Sequence, residues 1–424
     1  MADSVLRLAA ARYGTPLYLY DFDVVERQVL CLRRALGPRF TLAYAVKANP
    51  SLGVLHFLSR FGLSSDVASR GELAAARRAG FHPSKILSTG PAKSDEELEA
   101  LVRARVSIIH AEGEWELRRL EEIARRLRRT VRVGLRLNPP WGIAEKRVII
   151  GGSGAKKFGF DLRSAGKILR MRKSGGSLFS HLDICGFQVF NASNVLDAAL
   201  LLDNTRRVLD LALSLSRKYS VPLRSVDFGG GFGVPYAGSE ELLDLGVLRK
   251  GLQAVAREAR ASGLPESVRL VFEPGRFLVA EAGTYVTRVL GTKRNRGADV
   301  VLVDGGVHHF LRPVLLETSH GVRLVRKGTI GRPVPSLPSE KSLVISGPLC
   351  TSLDILHPAA QMPLPARGDL LAFENAGAYG YTESMPLFLS HEWPAEVGVR
   401  GGRLALLNRP PRVAELRARQ KTPF

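Results

Sequence analysis

Short β-rich segments alternate with longer amphipathic segments from about residue 40 to residue 273 of this 424-residue chain. This alternation predicts β/α units around a parallel sheet. The predicted strands are mostly apolar, as parallel strands covered on both faces should be. They are residues 41–46, 63–66, 85–88, 107–110, 131–137, 182–189, 225–228 and 268–272. Eight repeats favour a closed (β/α)₈ barrel, a TIM barrel, and a doubly wound open sheet is the structural alternative.

Helical patterns separate these strands. Ser94 followed by Glu97 forms a capping box, which predicts that a helix begins there. The clearest helical segments are residues 72–79, 94–103, 112–127 and 195–218.

The sequence pattern changes after about residue 283, where helical periodicity becomes scarce and Gly/Pro turns separate strand-like runs. These runs are residues 285–290, 300–303, 321–325, 342–345, 370–373 and 396–399. Residues 14–20 are also strand-like. We therefore predict a barrel over residues 22–283 and a C-terminal β domain, a β-barrel or sandwich, over 284–424 with residues 1–21 added. Residues 324–340 are predicted to form an exposed loop, and the tail 409–424 to fray.

The composition is typical of a globular protein, with 45% hydrophobic and 24% charged residues. The longest apolar runs are far shorter than a membrane span, and the N-terminal residues lack a signal-peptide pattern. Three cysteines without metal-ligand spacing favour a reducing cytoplasm and no disulfide framework. We therefore expect a cytoplasmic protein without a metal site.

The net charge of +21 is unusually high. The basic residues are spread over several segments, as on solvated helix faces, and no nucleic-acid-binding motif accompanies them. Nucleic-acid binding is therefore the weaker explanation. An acidic protein partner or an anionic substrate would use this charge, and a coding bias toward arginine is the alternative.

Lys47 lies in Thr41-Leu-Ala-Tyr-Ala-Val-Lys-Ala-Asn-Pro50, directly after a predicted buried strand. Desolvation at such a position lowers the pKa of a lysine, because a low dielectric disfavours the ammonium form. A neutral amine can form a Schiff base with an aldehyde, and pyridoxal phosphate is the commonest aldehyde cofactor. A lysine taken alone more often extends from a strand end into water.

Three further segments follow predicted barrel strands, where the functional residues of a TIM barrel gather. The glycines of Asp227-Phe-Gly-Gly-Gly-Phe-Gly233 would let the main chain approach a phosphate. Glu273-Pro-Gly-Arg276 offers a carboxylate for a protonated pyridine nitrogen and a guanidinium for an anion. In Gly186-Phe-Gln-Val-Phe-Asn-Ala-Ser-Asn194, Phe190 could stack on a cofactor ring and Ser193 could bind a phosphate. The alternatives are a structural turn, a surface ion pair, a core phenylalanine and a helix cap.

Cys350 lies in a polar, turn-like segment, Gly347-Pro-Leu-Cys-Thr-Ser-Leu-Asp354, of the predicted β domain. A thiol there could deliver a proton to a carbanion. For a lone cysteine, a small apolar filler in a tight turn is the better expectation.

Together these segments resemble the fold-type III pyridoxal-phosphate decarboxylases, which include diaminopimelate, ornithine and arginine decarboxylases, with alanine racemase as a distant relative. The resemblance covers residues 13–396 and implies a barrel followed by a β domain, in a head-to-tail homodimer with active sites between subunits. The motifs that carry it are Tyr44-Ala-Val-Lys-Ala-Asn49, Ser65-Asp-Val-Ala-Ser-Arg-Gly-Glu-Leu73, Gly229-Gly-Gly231, Glu273-Pro-Gly-Arg276, Gly347-Pro-Leu-Cys350 and Gly377-Ala-Tyr379.

The resemblance also implies residue roles. Lys47 would hold the cofactor covalently, Glu273 would pair with its ring nitrogen, and Cys350 of the partner subunit would return a proton after CO₂ leaves. Asp66 would support the site. The other residues implied are Gly230, Gly231, Gly275, Ser193 and Tyr379 at the phosphate, Arg276 at the phosphate or a substrate carboxylate, Phe190 on the ring and Asp354 at the substrate.

Two departures from the family pattern put diaminopimelate in doubt as the substrate. Phe190 stands where the family has a histidine, with Ala192 and Asn194 beside Ser193 in place of glycine and glutamine. Thr351 follows Cys350, where diaminopimelate decarboxylases have a glutamate that can pair with a distal substrate amine.

At these positions the sequence resembles a divergent branch of the family from secondary-metabolite and related pathways. The segment Phe388-Leu-Ser-His-Glu-Trp-Pro-Ala-Glu396 resembles the same branch. Some members of that branch decarboxylate an aminoacyl group, such as glutamyl, on an acyl carrier protein. Because carrier proteins are acidic, a basic enzyme would suit one. The resemblance therefore predicts a pyridoxal-phosphate-dependent amino-acid decarboxylase. A racemase or epimerase on the same fold is the alternative activity, and an inactive regulatory homologue is the alternative without activity.

Overall fold

The computed structural model describes residues 1–141, 157–173, 177–191, 193–236, 238, 240–317, 319–327, 341–411, 413–418, 420 and 421. The chain divides into two compact units. Unit 1 contains residues 1–27, 235–240 and 278–424, and unit 2 contains residues 28–234 and 241–277.

The strands among the described residues, in chain order, are β1 Leu17–Asp21, β2 Phe40–Ala45, β3 Ser64–Val67, β4 Ile86–Ser88, β5 Ile108–Ala111, β6 Val131–Leu137, β7 Leu182–Val189, β8 Ser225–Asp227, β9 Arg269–Phe272, β10 Gly283–Asn295, β11 Ala298–Val303, β12 Val322–Val325, β13 Lys341–Ser346, β14 Ile355–Met362, β15 Leu370–Phe373, β16 Ala395–Arg400 and β17 Arg403–Asn408.

The α-helices, again among the described residues, are α1 Asp3–Tyr13, α2 Phe22–Leu36, α3 Leu52–Ser59, α4 Arg70–Arg78, α5 Asp95–Ala104, α6 Glu114–Arg126, α7 Leu162–Lys173, α8 Ala198–Tyr219, α9 Leu245–Ala261, α10 Arg276–Val279, α11 Arg312–Leu315 and α12 Val413–Arg417.

Unit 2 is a closed parallel barrel. Its strands β2 to β9 pair in chain order, and β9 pairs back with β2, so that Phe40 lies opposite Leu270. The predicted TIM barrel is confirmed, and the open sheet is excluded because that sheet would have two unpaired edges. Each of the eight predicted strands agrees with an observed strand to within one residue at either end.

The barrel contains a cluster of buried side chains that several strands contribute. The cluster contains Ala43, Leu87, Ile108, Cys185 and Val271, from five different strands. This packing holds the strands at fixed heights, which positions the residues at their carboxyl ends.

The predicted capping box is also confirmed, since Ser94 accepts a hydrogen bond from the Glu97 amide and the Glu97 side chain accepts one from the Ser94 amide.

Unit 1 is built on a mixed nine-stranded sheet. Its main path runs β14-β13-β11-β10-β1-β16-β17, with β15 pairing with β10 and β12. β1 runs antiparallel to β10 and parallel to β16, so the strand-like segment near the N-terminus does join the β domain. A buried cluster from α1 and this sheet, including Leu6, Leu17 and Val397, forms the core of the unit.

Sequence patterns missed two strands, β14 and β17, and the N-terminal helix α1. Pro358 interrupts β14 and suggests a turn, but β14 is the edge of the sheet, where a missing amide donor is tolerated. The predicted loop 324–340 begins inside β12, and its residues 328–340 lie outside the described residues, as do residues 412, 419 and 422–424 of the predicted tail. None of the described helices is long and apolar enough to cross a membrane.

Candidate active site

Lys47 lies where the first barrel strand ends. β2 stops at Ala45, and a 3₁₀ turn over Val46–Ala48 carries the lysine. Its Nζ lies 3.2 Å from Asp66 Oδ2, and the lysine side chain is 34% exposed whereas that of Asp66 is 1% exposed. The burial expected from the sequence is therefore only partial, and the amine has a carboxylate partner. Such an amine is held in place and still open to a small aldehyde.

Asp66 determines where the amine of Lys47 is held. It lies in β3, and its other oxygen, Oδ1, accepts a hydrogen bond of 2.5 Å from Thr89 Oγ1. Because Thr89 follows β4, three consecutive strand ends are linked through this carboxylate. The contact fits the supporting role that the resemblance implies for Asp66.

Glu273 follows β9 and is 4% exposed. Its Oε2 accepts a hydrogen bond of 3.2 Å from Gln188 Nε2, whereas its Oε1 has no partner among the described residues. Burial raises the pKa of Glu273 well above its ordinary value, and the charges of Asp227 and Asp66 raise this pKa further. A donor or cation placed at Oε1 would make the ionised form of Glu273 favourable.

Two buried residues that the sequence analysis did not single out lie beside Glu273. Ligand atoms of His110, Asp227 and Glu273 lie within 4.8 Å of one another. Burial lowers the pKa of His110 to about 3 and raises the pKa of Asp227 to about 7. His110 is the last residue of a predicted strand and Asp227 is the last but one of another, and that position was the signal that could have found them. The spacing by itself would also suit a metal ion.

The glycine-rich turn after β8 approaches Glu273 closely. A Cβ added to Gly230 would lie 2.5 Å from the carbonyl oxygen of Glu273, and Gly231 has a φ of +104°, which residues with side chains rarely adopt. A Cβ on Gly275 would lie 2.8 Å from Ala48 Cβ, beside Lys47. The three glycines therefore bring bare main chain to the strand ends around Lys47 and Glu273.

Phe190 lies between this turn and Lys47, and Arg276 contacts Ser193. The Phe190 ring centroid lies 5.9 Å from Lys47 Nζ, and a Cβ on Gly229 would lie 2.6 Å from the ring. Arg276 Nη2 lies 3.3 Å from Ser193 Oγ, to which it donates. Unit 2 thus brings the predicted barrel residues together on one end of the barrel. Ala192 lies outside the described residues.

Cys350 and Asp354 belong to unit 1, in the connection between β13 and β14. The thiol of Cys350 is exposed. Asp354 is 3% exposed, and its two oxygens accept hydrogen bonds from the amides of Val307 at 2.8 Å and Leu349 at 2.7 Å. Asp354 therefore shapes the loop that presents the thiol. Its predicted contact with substrate stays a prediction.

Tyr379 also belongs to unit 1, and it lies beside an arginine that the sequence analysis missed. The guanidinium of Arg312 lies 4.7 Å from the Tyr379 ring centroid. The Arg312 side chain is 2% exposed and forms a 2.6 Å ion pair with Glu383. A buried arginine in a segment without a recognisable motif gave no sequence signal.

The barrel residues fit the cofactor that the resemblance implies. The unpartnered Oε1 of Glu273 requires a donor, which a protonated pyridine nitrogen provides. The bare main chain at Gly230 and Gly275, with Arg276 and Ser193, offers amides, a guanidinium and a hydroxyl for a phosphate. Lys47 supplies the amine for the aldehyde.

The titration of these buried groups predicts how pH affects the cofactor-free protein. Because the fold raises the pKa values of Asp227 and Glu273, these carboxyls should lower stability as the pH rises from about 4, where the unfolded chain ionises them, through about 7, where folded Asp227 ionises, and Glu273 should extend this loss to higher pH. His110 acts in the opposite direction below about pH 6.5, where the unfolded chain protonates it and the fold keeps it neutral, so it should lower stability as the pH falls. Urea unfolding between pH 5 and pH 9 measures both the acidic and the alkaline limb of the curve of stability against pH.

The cofactor and one substitution serve as controls for this pH effect. Pyridoxal phosphate should flatten the alkaline limb, because a ring N–H gives Glu273 a partner in its ionised form. Glu273→Gln should reduce the same limb in the cofactor-free protein. An unchanged alkaline limb in both cases would assign the pH effect to other groups.

Comparisons with known proteins agree with this geometry. The model of a family described as "Pyridoxal-dependent decarboxylase, pyridoxal binding domain" matches residues 22–280. The chain is 32% identical over 398 residues to the L-glutamyl-[BtrI acyl-carrier protein] decarboxylase of Niallia circulans, covering 94% of this chain and 92% of the relative.

Diaminopimelate decarboxylases are similar over the same length. The chain is 33% identical over 410 residues to the enzyme of Pseudomonas aeruginosa, covering 96% of this chain and 93% of that protein. The crystal structure of the Helicobacter pylori enzyme complexed with L-lysine superposes with a TM-score of 0.86 at 28% identity, covering 97% of this chain and 98% of that one.

Proposed function

Because this chain belongs to the family of pyridoxal-dependent decarboxylases, we propose that it removes the α-carboxylate from an aminoacyl group, such as glutamyl, held by an acyl carrier protein. The chain is a pyridoxal-phosphate-dependent amino-acid decarboxylase. The bound cofactor supplies an electron sink for the bond that breaks when CO₂ leaves. What the proposal adds is the substrate and the roles of individual residues.

In the proposed site, the barrel holds the cofactor at both ends. Lys47 binds it covalently and Glu273 pairs with the ring nitrogen, while Phe190 lies against the ring. At the other end, the phosphate is held by Gly230, Gly231, Gly275, Ser193 and Arg276, and the resemblance adds Tyr379 to this group. Asp66 keeps Lys47 in position through the 3.2 Å contact.

The observation that carries the substrate proposal is the neutral Thr351 next to Cys350, where diaminopimelate decarboxylases have a glutamate. The carboxylate that is lost must be free, so a carrier must hold glutamate through its other carboxyl group, which then becomes a neutral thioester. A neutral distal end requires no acidic residue, which fits Thr351.

Charge supports the same substrate class. The chain carries a net charge of +21, and an acidic carrier protein would be attracted to it over a distance that salt screens. The similarity to a decarboxylase named for a carrier-bound glutamyl group, over 94% of this chain, points in the same direction.

A direct assay tests the substrate. Enzyme loaded with pyridoxal phosphate is incubated with glutamyl-carrier protein, free glutamate, free diaminopimelate and free lysine, and CO₂ is measured. We expect kcat/KM for the carrier-bound substrate to be at least about 100-fold higher than for any free amino acid, and to fall with increasing salt. Equal or faster turnover of a free amino acid would contradict the proposal.

We further propose a homodimer in which Cys350 of one subunit serves Lys47 of the other. Unit 1 exposes several large apolar side chains, including Leu353 at 59% and Leu387 at 74%, which favour burial against a second copy. Cys350 is itself exposed. A membrane or nucleic acid is not part of the proposal, and the cytoplasmic location stays a prediction.

Cys350→Ala is expected to retain the cofactor and to lower kcat about 100-fold or more, because the proton donor is lost. Mixing this variant with Lys47→Ala and reassociating the subunits should restore about a quarter of the activity, since half of the dimers are mixed and each has one intact site. No recovery would indicate that the two residues act within one chain. A normal rate for Cys350→Ala would exclude the thiol as the donor.

Racemisation is not favoured, because the relatives that support this family assignment are decarboxylases. The same CO₂ assay distinguishes the two activities, since a racemase releases no CO₂. An inactive homologue would show neither reaction.

A further inference from the structure

Three hollows lie at the amino-terminal ends of the barrel strands. Their volumes are about 380, 290 and 310 Å³. Arg132 lines both the first and the second hollow, and Arg269 lines both the first and the third. The three hollows are therefore neighbours that share these two arginines, and we call the group the arginine basin.

Strand direction places the arginine basin away from Lys47 and Glu273. Ser225 is the first residue of β8, Arg269 is the first of β9, and Arg132 is the second of β6. Lys47 and Glu273 follow the opposite ends of parallel strands. The basin therefore belongs to a different end of the barrel from the proposed cofactor.

The basin has a large excess of positive charge. Seven arginines line the three hollows, with Glu266 as the only carboxylate among their lining residues. Glu266 is already paired with Arg260 at 2.7 Å and with Arg39 at 3.4 Å. Arg224 is paired with Asp183 at 3.2 Å, beyond the lining. The nearby acidic groups are therefore already used.

Two guanidiniums are left uncompensated at the centre. Within the described part of the chain, Arg132 and Arg269 have no hydrogen bond or ion pair. Arg269 is half-buried, and burial together with the charge of Arg132 lowers the pKa of Arg269. Ser225 lines the same hollow, is 1% exposed, and its Oγ has no partner. Two like charges beside an unused buried hydroxyl favour the binding of an anion that also accepts a hydrogen bond.

We propose that the arginine basin binds a phosphate group, held by Arg132, Arg269 and Ser225. A phosphate dianion compensates two guanidiniums, whereas a carboxylate compensates only one. Guanidinium groups match the geometry of phosphate oxygens, and the hydroxyl completes the set of donors. A hollow of about 380 Å³ is larger than orthophosphate alone needs, so it accommodates a phosphorylated small molecule.

The test uses enzyme whose cofactor has been fixed by borohydride reduction and freed of excess pyridoxal phosphate, so that the cofactor's own phosphate site is filled. Binding of radiolabelled orthophosphate and pyrophosphate is measured by equilibrium dialysis in 0.15 M salt, about physiological ionic strength. We expect saturable binding of one anion per subunit. Tighter binding of pyrophosphate would indicate a phosphorylated ligand, and equal binding would indicate free phosphate.

Matched variants separate this basin from general surface charge. Arg132→Gln and Arg269→Gln should each weaken binding at least about 10-fold, and Arg132→Lys should restore part of it. Arg249→Gln, which removes an exposed arginine from α9 of the same unit, should have no effect. Arg132 is itself exposed, so its variant keeps the test valid if Arg269→Gln does not fold. Equal affinity in all variants, or no saturable binding, would overturn the proposal.

Discussion

Lys47→Ala is expected to lower CO₂ release at least about 1,000-fold and to abolish covalent binding of pyridoxal phosphate, because the chain loses the amine that holds the aldehyde. The folded barrel should persist, since Asp66 keeps its 2.5 Å hydrogen bond from Thr89. Borohydride reduction followed by peptide mapping measures the covalent link, and circular dichroism checks the fold.

The matched control is Lys250→Ala, which removes an exposed lysine from α9. It should keep both the pyridoxyl adduct and the full rate. An adduct on another lysine in the wild-type protein, with none on Lys47, would refute the proposed site.

Glu273→Gln is expected to lower kcat about 100- to 1,000-fold while the cofactor stays bound, because the ring nitrogen loses its ionised partner. The substitution keeps the shape of a side chain that is 4% exposed. Because burial raises the pKa of Glu273, a neutral amide there should not destabilise the cofactor-free protein at neutral pH. Steady-state kinetics and the content of reduced cofactor give the two readouts.

Glu241→Gln, at an exposed position of the same unit, is the control for a general effect of charge. It should leave kcat unchanged. If Glu273→Gln kept the wild-type rate, the ring nitrogen would need another partner, and the nearby Asp227 would be the first residue to test.

Local patterns were enough to propose the barrel residues of the site. Lys47 and Glu273 each follow a strand whose apolar run is visible in the sequence, and Asp66 is the last residue of a predicted strand. The glycines after β8 are visible for the same reason, since a close approach of main chain permits no other residue. Such signals are local, so no knowledge of distant contacts is needed to find them.

Residues whose roles depend on a distant neighbour were missed. His110 is an ordinary strand residue until barrel closure places it beside Asp227 and Glu273. Arg312 can be buried because it pairs with Glu383, 71 positions along the chain. The edge strand β14 was missed because Pro358 signals a turn, and only the sheet order shows that β14 is an edge strand, where a missing amide donor is tolerated.

The sequence by itself determined the β/α repeat, the strand ends and the lysine that follows the first of them, because periodicity and turn chemistry act over a few residues. Only the tertiary structure decided which polar groups share a neighbourhood. Arg132 and Arg269 are two of many scattered arginines in the sequence, and the closure of eight strands places both in one basin. The same closure leaves one oxygen of Glu273 buried without a partner, since burial and pairing are properties of the whole barrel and not of any segment.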